Sequence, residues 1–403
     1  MVDVWQRRIL RELCEITSSK RIYAADYQSE GVPFYRGKEI IEKHKGSLEV
    51  STELFISESK FLEIKHKFGI PQPGDLLLTS VGTLGVPYVV KAGEEFYFKD
   101  GNLTWFRNFK NLDSGFLYYW LLSPQGKAEL KKCTIGSSQS AFTIVLLKDM
   151  EVELPPLPTQ RRIAAILSAY DDLIENHTRR IKILEEMAQL LYREWFVHFR
   201  FPGHGRVKVK NGVPEGWEVK RLGDVCYLVM GQSPESKFYN DAGEGLPFHQ
   251  GVTDFGDRFP NDRTYCTVQN RVAEKGDILF SVRAPVGRIN IANKRIVIGR
   301  GVSAIRSKAG NQAFLFQQLK DKFKEEDTMG GGTIFKSVTK ADMLGIELLM
   351  PAEEHVNRFE EIAIPMFREL EALTIKNANL RRTRDLLLAR LGAGRWRFEP
   401  LKH

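Results

Sequence analysis

Thr134-Ile-Gly-Ser-Ser-Gln-Ser-Ala-Phe142, then Lys148-Asp149-Met150, then Pro158, leads into an apolar-striped run over 159–198. Thr328-Met-Gly-Gly-Gly-Thr-Ile-Phe335, then Asp342-Met343, then Pro351, leads into a second such run over 352–391. Phe142/Phe335, Asp149/Asp342, Met150/Met343 and Pro158/Pro351 are each separated by 193 positions. One offset held across four landmarks marks an internal duplication, in which each copy is a globular segment followed by a long helix.

The first run carries Ile163, Leu167, Tyr170, Ile174, His177, Ile181, Leu184, Ala188, Leu191 and Trp195, spaced alternately by four and three. That spacing is a coiled-coil seam, narrower than the stripe of an ordinary surface helix. Forty residues at about 1.5 Å each give a helix of roughly 60 Å. The second run carries Phe359, Ala363, Met366, Leu370, Leu373, Asn377, Leu380, Arg384, Leu387 and Leu391 in the complementary phase. Pro365 lies inside it and predicts a kink, because proline removes a backbone donor. Run antiparallel, the stripes pair Trp195 with Phe359, Leu184 with Leu370, Ile181 with Leu373, Ile174 with Leu380 and Leu167 with Leu387. His177 and Asn377 then share one polar layer able to set register, and Tyr170 faces Arg384.

Upstream of each run the pattern is mixed. Pro73-Gly-Asp75-Leu-Leu-Leu-Thr79 and Lys275-Gly-Asp277-Ile-Leu-Phe-Ser281 each read as a turn feeding a buried strand. Further strands are expected at 86–90, 96–98 and 290–298, and helices at 115–130 and 311–323. Stretch 199–216, with three glycines before Val213, reads as a linker. The boundaries are therefore a first head 1–158, a spacer helix 159–198, a second head 199–351 with its linker, and a helix with tail 352–403.

The chain has a net charge of +8, yet the first helical run holds six basic and six acidic residues and the second seven of each. The whole excess therefore lies in the heads and tail, as a polyanion-binding protein needs. No apolar run is long enough to span a bilayer and the N-terminus lacks a signal-peptide core, so a cytoplasmic location is expected. Cys14, Cys133, Cys226 and Cys266 are scattered thiols with no C-x-x-C pair, which excludes a zinc ribbon and fits a reducing compartment.

Catalytic chemistry is missing from the pattern. There is no G-x-x-x-x-G-K-[S/T] phosphate loop and no Asn/Asp-Pro-Pro-aromatic motif, and Glu63-Ile64-Lys65 lacks the aspartate of a metal-dependent nuclease. His44, His66, His177 and His198 have no metal-ligand spacing. Groups that grip phosphates or read base edges instead recur in both heads. The first head has Lys20, Arg21, Tyr23, Tyr35, Arg36, Lys38 and His44, with Ser137, Ser138 and Gln139 in its glycine-bearing loop. The second has Gln232, Ser233, Lys237, Tyr239, His249, Gln250, Arg258, Arg263, Arg283 and Arg288, followed by Lys294, Arg295 and Arg300, with Lys336 after the glycine loop.

With these residues the chain resembles the specificity subunits of Type I restriction–modification enzymes over nearly its whole length. The matching strings are Trp217-Glu-Val-Lys-Arg-Leu-Gly223-Asp224-Val225, the two Gly-Asp strand openings, and Gly136-Ser-Ser-Gln139 leading through Leu154-Pro-Pro-Leu-Pro-Thr-Gln160-Arg-Arg-Ile163. Family members usually carry Glu-Gln where Thr159-Gln160 stands here, and the second copy has Ala352-Glu353-Glu354 without the Pro-Pro-Leu lead. The resemblance implies an α+β fold: two similar mixed α/β globular target recognition domains, separated and joined by two long helices packed as an antiparallel coiled coil. It implies a non-catalytic subunit whose heads each read half of a split double-stranded DNA target. It further implies two modification (methyltransferase) subunits that bring S-adenosylmethionine, restriction subunits that bring ATP, no cofactor in this chain, and no membrane. The residues by themselves also admit a duplicated scaffold that binds protein partners, or a stand-alone nuclease or methyltransferase.

Overall fold

The computed structural model describes residues 5–46, 50–136, 140–324 and 337–392. The chain divides into two compact units, one of 1–177 with 376–403 and one of 178–375. Both boundaries fall inside the long helices, Leu157–Tyr192 and Glu353–Gly392, so each unit is a head together with part of the helix pair.

In the first unit strand Gln6–Ile9 pairs antiparallel with Glu151–Leu154, where the head meets the first long helix. One four-stranded antiparallel sheet runs Glu15–Thr17, Leu103–Arg107, Leu76–Thr79, Pro87–Val89. A second runs Tyr27–Gln28, Phe55–Ile56, Val32–Tyr35, Tyr97–Phe98, and its last pair is parallel. The single helix expected over 115–130 is two, Ser114–Leu122 and Pro124–Lys132. Ser123 is extended ahead of Pro124, as a residue preceding proline must be, and its hydroxyl caps the second helix through the Gly126 N–H at 3.1 Å.

The second unit repeats the order. Glu218–Arg221 pairs with Glu347–Met350, a four-stranded sheet runs Cys226–Met230, Val302–Ser307, Ile278–Ser281, Ile289–Ile291, and a further sheet again holds a parallel pair, Leu246–His249 with Ile296–Ile298. The two Gly-Asp turns are built alike. Asp75 accepts the Gln72 N–H at 2.9 Å, and Asp277 accepts the Glu274 N–H at 2.8 Å, so each aspartate closes the turn before its strand. Stretch 199–216, expected as a linker, is packed: it forms a hairpin between Val209–Lys210 and Val213–Pro214, and Phe201 is buried against Trp217 and His355.

The helices pair within each unit. In the first, Ile163, Leu167 and Ile174 are buried, and His177 Nδ1 lies 3.0 Å from Asn377 Oδ1. Asn377 is itself buried and donates to the Ile174 carbonyl at 3.4 Å, which ties the polar layer to one register. Leu380 and Leu387 are half-buried. Arg384 does not rest on Tyr170. It is salt-bridged to Asp171 at 2.6 Å, and Asp171 also accepts the Tyr119 hydroxyl at 2.7 Å, since a guanidinium at a half-buried seam edge gains more from a carboxylate than from a ring. In the second unit Ala188, Leu370 and Leu373 are buried, Ile181, Leu184 and Leu191 are half-buried, and the Trp195 and Phe359 rings lie 6.3 Å apart. The second helix passes through Pro365 as one element, and the proline is exposed, so the freed Glu361 carbonyl costs least there.

Each long helix also anchors its head. Buried Gln160 accepts the Asp113 N–H at 2.9 Å and donates to the carbonyls of Asn111 and Pro155 at 3.2 and 2.8 Å. In the second unit Glu360 plays this part, accepting the Phe314 N–H at 2.7 Å at the start of helix Gln312–Lys322. Burial pushes the Glu360 carboxyl up to about 7. The folded form therefore keeps a proton that an unfolded carboxyl releases near pH 4.5, so stability falls as pH rises between those values. Glu360→Gln keeps the acceptor and removes the charge. We expect it to flatten this slope and to raise stability at pH 8 by up to about 3 kcal/mol, read from urea melts across pH.

Candidate nucleic-acid interface

Three chain junctions converge in each head. The first is the end of the strand in the parallel pair: the Lys99 N–H donates to the Tyr35 carbonyl at 2.8 Å, and the Gly299 N–H to the His249 carbonyl at 2.9 Å. The second is the turn after the Gly-Asp strand. Here the Thr79 hydroxyl accepts the Val86 N–H at 2.9 Å, and the Ser281 hydroxyl accepts the Arg288 N–H at 2.9 Å. The third joins the other two, through Ser80 N–H to the Asn102 carbonyl at 2.8 Å and Val282 N–H to the Gly301 carbonyl at 3.0 Å. These turns are also bridged outward in the same way, Val81 to Ala141 and Arg283 to Ser337. A strand pairing between residues far apart in sequence thus places Arg36 beside Val81 and Asn102, and Gln250 beside Arg283 and Gly301.

Each convergence forms an open cleft. The first is about 640 Å³ and is lined by Arg36, Lys38, Lys45, Glu42, Glu53, Val81, Thr83 and Asn102, among others. Arg36 is fixed by Glu39: the guanidinium donates at 2.9 Å and the backbone N–H at 2.7 Å. Burial pushes the Glu39 carboxyl up, but these donors more than offset it and hold the group below its ordinary range. Lys38 and Lys45 are exposed, and among the described residues neither has a carboxylate within ion-pair distance.

The second cleft is about 200 Å³ and is lined by Gln250, Thr253, Arg283 and Arg300 with their neighbours. The Ser233 hydroxyl organises it, accepting the Arg300 N–H at 3.2 Å and the Gln250 side-chain amide at 3.4 Å. Arg283 and Arg300 are exposed, and no ion pair holds either guanidinium among the described residues. Amide, hydroxyl and guanidinium groups on rigid turns are the donors and acceptors that base edges and phosphates take up.

The remaining expected residues divide. Lys20, with its ammonium 5.2 Å from the Phe68 ring, Arg21, paired with Asp100 at 2.8 Å, and Tyr23, 66% exposed, are accessible on the first head. Gln232, Lys237, Arg263 and Arg288 are exposed on the second, with Lys237 on Glu235 at 2.7 Å and Arg263 3.7 Å from Asp254. Tyr239 is half-buried and stacks on Phe248. Lys294 pairs with Asp262 and Arg295 with Glu274. Ser137, Ser138, Gln139 and Lys336 lie outside the described residues.

Four expected contacts are internal. His44 is half-buried, its Nδ1 3.0 Å from the Pro87 carbonyl and its ring against Tyr118. Tyr35 is buried on Phe96, with ring centroids 4.7 Å apart, and His249 is fully buried, 3.2 Å from Asp262. Successive strand residues point to opposite faces, so the residues that face out are their neighbours, Arg36 and Gln250. Arg258 is 7% exposed, 3.1 Å from Glu185 on the long helix and 4.4 Å from the Phe367 ring, so it holds head to helix. Conversely Val81, Thr83, Asn102 and Thr253 line the clefts without having been expected. Arg283 was expected, and the turn-strand repeat, continued a few residues, points to Val81 as its counterpart. Among the described residues no group of three or more His, Cys, Asp or Glu is placed to hold a metal ion, and burial pushes the Cys14 and Cys226 thiols up to about 12, away from nucleophile chemistry.

A family model described as the Type I restriction modification DNA specificity domain matches residues 3–186 and again 214–373. The chain is 31% identical over 361 residues to the specificity subunit of the MjaX type I restriction enzyme of Methanocaldococcus jannaschii, covering 87% of this chain and 84% of that protein. It is 28% identical to the MjaIX specificity subunit of the same organism, over 81% of this chain and 79% of that one. The crystal structure of a type I restriction-modification S subunit from M. genitalium shares the fold at a TM-score of 0.67 and 16% identity, covering 97% of this chain and 96% of that one.

Proposed function

The chain belongs to the Type I restriction–modification DNA specificity family, and from that premise we propose that each head reads one half of a bipartite double-stranded DNA target. The chain performs no catalysis itself and acts as the recognition subunit of a larger complex. The observation that carries this reading is the repeated cleft, assembled from the same three junctions in both heads and lined by exposed cations beside amide and hydroxyl groups. The paired helices set the interval between half-sites, and joining two short readouts yields one long address through effective concentration.

The duplication supports one modification subunit per repeat, two in all, with restriction subunits completing the assembly. S-adenosylmethionine belongs to the modification subunits. No helix among the described residues is long and apolar enough to cross a membrane. In the second unit the first long helix carries Ile183, Met187 and Leu190 on its outer side, exposed by 47%, 47% and 60%. A spacing of four and three gives one continuous stripe that suits a protein partner. The double variant Met187→Glu, Leu190→Glu is expected to keep its far-ultraviolet circular dichroism and to lose co-purification of the modification subunit. Retained co-purification would move the docking surface elsewhere.

The DNA reading is tested on the co-expressed complex by titrating salt against a bipartite duplex. Phosphate contacts make log K fall linearly with log salt. A steep negative slope supports DNA reading, whereas a salt-independent affinity would favour the protein-binding scaffold.

A further inference from the structure

Val81 and Arg283 occupy one position in two copies of the same turn. Both follow the Gly-Asp strand by two residues, and both turns are closed by a strand-end hydroxyl accepting an N–H at 2.9 Å. Both residues bridge outward, to Ala141 and Ser337, and both line the cleft of their head. Both side chains are exposed, Val81 by 42%. The backbone is shared and the side chains are opposite in character, one apolar and one cationic.

Phosphates are alike everywhere along a duplex, so a phosphate grip built on a repeated turn calls for the same chemistry in both copies. What differs between two half-sites is the bases. We propose that position 81/283 is a base-reading position: Arg283 takes the O6 and N7 acceptors of a guanine through its forked donors, and Val81 packs on the methyl group of a thymine. The neighbouring pair Arg36/Gln250 also differs, a cation against a neutral amide, but Arg36 is held by Glu39. Arg283 has no such partner among the described residues and remains available for bidentate contact.

This assignment rests on the DNA-reading function above, and the test separates the two. The complete complex with its modification subunits, wild type or carrying Val81→Ala, Arg283→Ala or Arg283→Lys, is given a library of duplexes randomised over both half-sites, and the methylated molecules are sequenced. Arg283→Ala is expected to relax one base position of one half-site by about 5- to 150-fold, leaving the other half-site and the gap unchanged. Arg283→Lys keeps the charge and is expected to relax the same position, because an ammonium lacks the planar fork. Val81→Ala is expected to relax a thymine position in the other half-site by several-fold. If Arg283→Ala weakens all sequences equally, or Arg283→Lys restores full preference, the residue grips a phosphate and the assignment fails. Unchanged preference in both alanine variants against a bipartite wild type overturns the assignment alone. A wild-type complex without any bipartite preference overturns the reading of the heads, and the assignment with it.

Discussion

Inserting one heptad into each long helix, after Arg179 and after Ile375, lengthens the gap in the methylated motif by about 3 base pairs while leaving both half-sites unchanged. Seven residues add about 10.5 Å of helix, and base pairs stack at about 3.4 Å. The insertion lies between the His177–Asn377 layer and the buried Leu373, at positions where Thr178, Arg179, Arg180, Ile375 and Lys376 are exposed. A whole heptad keeps the four-three spacing, so every seam residue returns to its own layer. A heptad placed in one helix only cannot satisfy both the His177–Asn377 bond and the Trp195–Phe359 contact, and is expected to abolish motif-specific methylation. Methylome sequencing of cells carrying each variant reads the gap directly. An unchanged gap in the double insertion would mean that something other than the helix pair sets it.

Glu185→Ala is expected to destabilise the second unit by about 3 kcal/mol, whereas Arg258→Met leaves DNA affinity within about twofold of wild type and costs under about 1.5 kcal/mol. The Arg258 guanidinium is packed between Phe316 and Phe367, 5.1 and 4.4 Å from their ring centroids, with Glu185 at 3.1 Å. Burial pushes the Arg258 pKa down, and Glu185 opposes that shift. Removing the carboxylate strands a buried cation, which is costly. Replacing the cation by an unbranched apolar side chain keeps the packing and leaves Glu185, whose side chain is 30% exposed, able to reach water. Urea melts of the two variants, beside binding isotherms of the assembled complex, distinguish a structural Arg258 from a DNA-contacting one: a large loss of affinity at unchanged stability in Arg258→Met would return it to the interface.

The helices were legible because their information is local. A four-three apolar spacing persists over many turns, and two polar exceptions, His177 and Asn377, meet only when the stripes run antiparallel. The Gly-Asp turns were legible for the same reason, since Asp75 and Asp277 bond to residues only three positions away. The clefts were not. Arg36 reaches Val81 and Asn102 through a parallel pairing of Val32–Tyr35 with Tyr97–Phe98, and nothing in either short strand announces the other. Proximity in sequence alone groups buried Tyr35 and His249 with their outward neighbours Arg36 and Gln250. The structural role of Arg258 is hidden in the sequence for a related reason: its partners Glu185, Phe316 and Phe367 come from three distant parts of the chain. The glycine-rich stretch 199–216 looked like a linker by composition, but Phe199 and Phe201 bind it to Trp217.

Two heads reading two half-sites can be tested without any variant. DNA from cells with and without this chain, both retaining the modification subunit, is sequenced for methylated bases. The predicted result is a single split motif, two short defined sequences around a gap of fixed length and free composition, present with the chain and absent without it. Methylation that is the same in both cells, or a motif whose gap varies in length, would contradict the account.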